Sequence, residues 1–432
     1  MEYTEPVDAT GNQPLPAHEF ALDTIDIISP DHYQKNGYPH AEWAYLRKHA
    51  PVFHVERRGI DPFWAITKAA DIIEISKQPR LWLNGPRLAV FKLEEGEKPL
   101  APEAYPLKHL LNMDPPQHGN YRALLSRNFT PRAVRALEPE MERITREVLD
   151  ELMDREQCDF VTDISSRVPV AVIAELLGVP RSDWPTLFRW TNEVIGSGDP
   201  EFQHGSNSNE TFIQARMEMF QYFSAMVAER QKNPTGDVTS TLANASINGQ
   251  PLPVLELMSY LLVLVVAGNE TTRNATTGGL LALIQHPQEF HKLKSNPGLI
   301  KSAVEEIARW TSPVIQFSRT AVEDTEVRGR KIRAGESVCL FYPSANRDEE
   351  LFDEPFKFDV ARDPNPHLAF GIGEHFCLGS NLARLELEVI FRQLAQRLEY
   401  AELEGPLSRL RSSFVGGIKH MPIRFKLKPA AN

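Results

Sequence analysis

The stretch FGIGEHFCLG, residues 370–379, decides the reading of this chain. Cys377 stands immediately before an unbroken helical pattern, LGSNLARLELEVIFRQLAQRL, residues 378–398. A cysteine at that point meets free backbone N–H groups and the positive end of a helix dipole, both of which favour a thiolate over a thiol. Gly373 and Gly379 let the backbone approach the sulfur and adopt angles that other residues resist. The segment therefore reads as a loop that presents Cys377 as a thiolate. Cys158 and Cys339 lack such surroundings and are expected to be structural. The three cysteines lie far apart without CxxC spacing, which excludes a disulfide framework or zinc ribbon and fits a reducing cytoplasm.

Upstream, PVLELMSYLLVLVVAGNETTRNATTGGLLALIQ, residues 253–285, reads as one long helix whose first half is apolar on nearly every face, hence buried at the centre of the molecule. Its most hydrophobic run, Leu261 to Ala267, is too short to span a membrane. In the middle stands AGNETT, residues 267–272, a poor choice for a helix interior, since glycine alone costs about 1 kcal/mol relative to alanine. The Thr271 hydroxyl is expected to bond the Ala267 carbonyl one turn back, loosening the ladder and opening a groove. Further on, Glu306 and Arg309 share one helix face at i,i+3 spacing.

FGIGEHFCLG, AGNETT and Glu306–Arg309, in this order and spacing, resemble the cytochrome P450 family over about residues 42–427. RTAVEDTEVRG, YPSANRDEE and FVGGIKHMPIRF look most like the branch of soluble bacterial members that includes the α-terpineol hydroxylase. The resemblance implies a mainly α fold with small β-sheets (α+β), a triangular helical prism around a buried haem b. It implies an N-terminal arm, residues 1–40, followed by one domain, residues 41–432. Cys377 would hold the iron, with Phe370, Gly373, Gly379 and Ala267 around the cofactor. The haem carboxylates require cationic partners, and His118 and Arg122 in MDPPQHGNYR, Arg319 in QFSRT and His375 match the family's positions. Glu270 and Thr271 match the pair that supports proton delivery. Glu306 and Arg309 would hold a meander near the haem, completed by Arg347 or Lys357; the chain offers Lys357 where arginine is often found, and lysine loses bidentate geometry.

The activity implied is insertion of one oxygen atom from O2 into a C–H bond, since an axial thiolate favours O–O cleavage. Electrons would come from NAD(P)H through a ferredoxin reductase and a ferredoxin, because no GxGxxG-like segment is present; Arg127, Arg132 and Arg384 would receive the acidic ferredoxin. Over the haem, family geometry would place Phe91, Val263, Val266, Val314, Ile315, Phe414 and Val415, an apolar set without a charged anchor. A compact hydrophobic substrate is expected, a cyclic monoterpenoid or an alkylated or small polycyclic aromatic hydrocarbon. The alternatives are a sterol or linear terpenoid hydroxylase, a peroxide-driven peroxygenase, and a non-catalytic haem sensor.

The remaining sequence agrees with a monomeric globular enzyme. Apolar residues make up 42% and charged residues 24% of the 432, enough for a large core. A net charge of −11 argues against nucleic-acid binding. The first twenty residues carry four acidic side chains and no apolar core of a secretory signal, so they read as a loosely packed arm, and no membrane association is expected. VFHVE and FWAIT read as a hairpin. Residues 83–109 form a long irregular segment. EVRG, KIRAGE and SVCLFY are spaced as a β-meander.

Overall fold

The structure, a computed structural model, describes residues 20–92 and 108–430. At its centre the helix Val254–Gln285 runs unbroken for 32 residues. It packs against the helices Arg167–Leu177, Trp184–Ile195, Ser208–Lys232, Ile300–Thr311 and Ser380–Arg397. Every side chain from Leu257 to Val266 is buried. A helix enclosed on all sides has no wet face to favour polar residues, which is why its first half shows no amphipathic period. Long and apolar enough to cross a membrane, it is mostly covered by the protein itself.

The helix Glu138–Asp150 follows the opposite regime, burying Met141, Ile144, Thr145, Val148 and Leu149, the i, i+3, i+4, i+7, i+8 spacing of a one-faced helix. Glu138 and Glu140 occupy its first turn, where the dipole favours negative charge. It packs on Arg167–Leu177 and Ser380–Arg397. Each fully buried aliphatic side chain contributes about 1.5–3 kcal/mol.

The strands form small sheets beside this helical body. Val52–Arg57 and Ile60–Ile66 make the expected antiparallel hairpin, with Val52 opposite Ile66. Ile60–Ile66 then pairs in parallel with Ser337–Phe341, which pairs antiparallel with Gln316–Ala321, and Trp82–Leu83 closes the five-stranded sheet. This corrects the meander. Thr325–Val327 pairs with Arg330–Ile332 in a separate two-stranded ribbon. Ser337–Phe341 is buried along its whole length, so it needs a neighbour on each edge and takes a central position instead. A second sheet joins Leu398–Leu403, Pro422–Leu427 and Gln157–Asp159.

The extent of the arm is also different from expectation. Residues 1–19 lie outside the described residues, but Ile25, Ile27, Ile28 and Tyr33 are buried in one cluster with Trp43 and Leu46. Their apolar faces are covered by the hairpin, so residues 20–40 pack with the domain rather than apart from it. Of the irregular segment, residues 93–107 lie outside the described residues.

Candidate functional site

The cysteine loop is shaped by two glycines in left-handed conformation, Gly371 (φ 68°) and Gly373 (φ 78°). The Cys377 N–H donates to the Phe370 carbonyl at 2.9 Å. A Cβ on Gly373 would stand 2.3 Å from the Ser76 carbonyl oxygen, so this glycine allows close packing on the helix Ala69–Ser76. A Cβ on Gly379 would meet nothing within 4 Å. Burial raises the Cys377 thiol above its ordinary pKa, opposed by the Gly379 N–H and by the charges of Arg122 and Arg384. The helix end alone therefore does not secure a thiolate; a bound metal cation, which deprotonates a coordinating thiol outright, would.

Cys377 opens on a cavity of about 1100 Å³. Phe370 and Gly379 line it beside the sulfur, and Val263, Val266, Ala267, Glu270 and Thr271 line it from the central helix. Ala267 is exposed and Thr271 half-exposed in the middle of the central helix, where this face meets the cavity. His118, Arg122, Arg319 and His375 also line it. The rings of His118 and His375 stack with centroids 4.0 Å apart. Glu374, inside the cysteine loop, holds His118 Nδ1 at 3.1 Å, while the Nε2 atoms of both histidines are buried without a partner. Burial and the nearby charges of His118, Arg319 and Arg122 hold His375 down to about 2. Among the described residues no carboxylate pairs with Arg122 or Arg319. Two orphaned imidazole nitrogens and two uncompensated guanidinium groups around the cavity onto which the Cys377 thiol opens fit a dianionic metal cofactor, as haem is.

In the central helix the Thr271 hydroxyl donates to the Ala267 carbonyl at 2.8 Å, as expected. The helix nevertheless stays unbroken, so the expected loosening of the ladder does not occur. A Cβ on Gly268 would stand 2.9 Å from the Ile173 side chain, so that glycine serves close helix packing. Glu270 is buried, with one carboxylate oxygen held by Arg273 and Oε1 left free. Burial raises its pKa; Arg273 opposes the rise. Arg273 in turn donates to Asn192 Oδ1 at 2.6 Å.

The apolar wall comes from Val263, Val266, Val314, Phe317, Phe414 and Val415, with Phe91 at the rim, 51% exposed. Phe414 stands edge-on to both Phe91 and Phe317, at 5.7 and 5.5 Å. Ile315 is the exception. It is fully buried on the far side, in the cluster with Trp43 and Phe341, because successive residues of an extended segment point to opposite faces and Val314 takes the cavity face. His109, which nothing local in the sequence marks, lines the same cavity and is held down to about 4 by burial.

Glu306 and Arg309 form a fully buried bidentate pair, both arms at 2.7 Å. Neither Arg347 nor Lys357 completes it. Arg362 Nε approaches Glu306 at 3.2 Å and Asn365 Nδ2 donates to it at 3.1 Å. Arg347 instead donates to the carbonyls of Arg309 and Trp310, and the Lys357 ammonium pairs with Glu354 while its carbonyl accepts from Arg309. Arg384 is likewise not free for a partner protein, being paired with Glu305 at 2.6 Å.

Residues 202–427 match the family model described as Cytochrome P450. The chain is 36% identical over 411 residues to cytochrome P450-terp of a Pseudomonas species, covering 92% of this chain and 96% of that one. It is 38% identical to the steroid C26-monooxygenase of Rhodococcus jostii, covering 93% and 85%. The crystal structure of CYP108D1 from Novosphingobium aromaticivorans superposes with a TM-score of 0.84 at 35% identity, over 93% of this chain and 97% of that one.

Proposed function

Because the chain belongs to the cytochrome P450 family and is a monooxygenase of that family, we propose that it hydroxylates a compact hydrophobic ring substrate with electrons delivered by a ferredoxin in the cytoplasm. The observation that carries this reading is the single cavity in which Cys377, the arginines Arg122 and Arg319, the imidazoles of His118 and His375, Thr271 and the apolar wall all meet. A haem would be held by Cys377, charge-paired with Arg122 and Arg319 and hydrogen-bonded by His118 and His375, and would supply the activation of O2 and the transfer of one oxygen atom. The protein's own part is to orient the substrate, exclude water and hold protons at defined atoms. Thr271 Oγ1 is anchored through its donated bond yet keeps its lone pairs toward the cavity. Glu270 Oε1, on the next residue, is a carboxylate atom without a partner, and burial raises the pKa of the group against the opposing charge of Arg273, so it holds a proton more readily than an exposed carboxylate.

Thr271→Ala is expected to retain electron consumption while product per NAD(P)H falls several-fold, the difference appearing as hydrogen peroxide. Unchanged coupling in a stopped assay of both products would assign the proton path elsewhere.

For the substrate, the wall of Val263, Val266, Val314, Phe317, Phe414 and Val415 selects by shape, because it offers no charged anchor. Such a wall discriminates by about 1–3 kcal/mol per methylene, so several related hydrocarbons should bind. The relatives named for terpene and steroid chemistry, and the aromatic edges of Phe91, Phe317 and Phe414, support cyclic monoterpenoids or small aromatic hydrocarbons. A spectral titration with monoterpenes, alkylbenzenes, polycyclic aromatics, sterols and linear terpenoids is expected to rank the compact rings first. Tight binding of a carboxylated substrate with no response to cyclic hydrocarbons would overturn the assignment.

Ferredoxin dependence is supported by Arg127 and Arg132, both exposed and without a carboxylate partner among the described residues. Asn381 donates to the Phe129 carbonyl at 3.0 Å, which sets the turn carrying these arginines against the helix that follows Cys377. Product formation driven by NAD(P)H, reductase and ferredoxin should exceed that driven by peroxide; the reverse order would favour a peroxygenase, and no product from either a sensor.

A further inference from the structure

Adjacent glutamates on the helix Ile300–Thr311 hold different parts of the chain. Their side chains leave the helix about 100° apart, so they face different neighbours. Glu306 binds the segment that carries Pro355, Lys357, Arg362 and Asn365, through Arg309, Arg362 and Asn365. Glu305 binds the cysteine loop and its helix: Arg384 Nε donates to Oε1 at 2.6 Å and Nη2 to Oε2 at 3.0 Å, while His367 Nε2 stands 2.9 Å from Oε2.

The His367 ring has a defined orientation and tautomer. Its Nδ1 accepts the Ala369 N–H at 3.2 Å, so Nε2 carries the hydrogen that is donated to Glu305. The side chain is nearly fully buried. Arg384, fixed by the bidentate fork, lies with its guanidinium carbon 4.3 Å from the centroid of Phe370. Phe370 in turn supplies the carbonyl that receives the Cys377 N–H. A chain of contacts therefore runs from Glu305 through Arg384 and His367 to Phe370 and to the backbone of the sulfur-bearing residue. Despite burial, His367 and Arg384 hold Glu305 down to about 2, so it is ionised.

We propose that Glu305 is a positioning residue for the iron ligand: with Arg384 and His367 it fixes Phe370 against the Cys377 loop and supplies the anion that offsets the Arg384 charge, which stands against the Phe370 ring of that loop. This rests on the haem-thiolate reading. Removing the anion leaves the Arg384 charge uncompensated near the ligand, which stabilises the electron-rich, reduced iron and draws density toward the sulfur. It also frees His367 and Phe370 to move.

The test uses haem-loaded Glu305→Gln, which keeps the shape but offers one oxygen for two donors. The midpoint potential of the iron should shift positive, and the thiolate-type Soret band of the reduced carbon monoxide complex should decay several-fold faster than in the parent. Glu305→Asp, retaining the charge, should restore the potential toward the parental value. A parental potential and decay rate in Glu305→Gln overturn the proposal, and so does a lowered melting temperature with both readouts unchanged, which would mean a role in folding alone. If Glu305→Gln takes up no haem, Arg384→Lys reads the same quantities: faster decay with little change of potential supports the proposal, and unchanged decay overturns it. Absence of the thiolate band from the parent itself would instead overturn the haem-thiolate reading.

Discussion

Cys377→Ser is expected to abolish the thiolate-type Soret band of the reduced carbon monoxide complex and to bring substrate oxygenation to background. The serine hydroxyl is a harder and more weakly donating ligand than a thiolate. Its geometry would be nearly unchanged, because the loop is shaped by Gly371, Gly373 and the bond from the residue-377 N–H to the Phe370 carbonyl, none of which uses the sulfur. Haem should still be retained to a measurable extent by His118, Arg122, Arg319 and His375. The expected variant is thus a folded haem protein with the wrong axial ligand. Persistence of the red-shifted band would remove Cys377 from the iron.

The second large effect is expected at Glu306. The carboxylate and the Arg309 guanidinium are both fully buried, and Glu306 also accepts from the Asp359 N–H at 3.0 Å and from Asn365 and Arg362. Removing one member of such a pair leaves an uncompensated buried charge, at a cost of about 3–5 kcal/mol. A domain stable by about 5–15 kcal/mol loses much of its margin to that change. Glu306→Ala is therefore expected to give little haem-loaded protein and a markedly lower melting temperature in what is recovered. Glu306→Gln should fall between it and the parent. A parental melting temperature in Glu306→Ala would show that the carbonyls of Asn346, Pro355 and Lys357, which also accept from Arg309, satisfy the guanidinium unaided.

The sequence readings that held share one property: their cause is local. The left-handed Gly373 of the Cys377 loop, the hydroxyl-to-carbonyl bond from Thr271 to Ala267 and the spacing of Glu306 and Arg309 all act within a turn or a loop, so short stretches of residues specify them. Gly379, by contrast, takes an ordinary negative φ of −86°. The long central helix was legible because ten consecutive enclosed side chains, Leu257 to Val266, leave a continuous apolar run. The mainly helical fold with small sheets followed from those patterns together with the family resemblance.

What the tertiary structure alone decided are the partners that arrive from far along the chain. Arg362 reaches Glu306 from 56 residues away, and nothing near either residue distinguishes it from Arg347 or Lys357. Glu305 claimed Arg384, which from its charge alone read as a free surface cation. Whether Val314 or Ile315 faces the cavity depended on the phase of an extended segment, and one step of phase exchanges the two faces. The meander failed for a similar reason: a strand buried along its length takes whichever neighbours close both its edges, and sequence adjacency does not choose them. Local stereochemistry wrote the ligand loop into residues 370–379, whereas burial and long-range pairing of charge, which depend on the whole packed chain, decided how that loop is held.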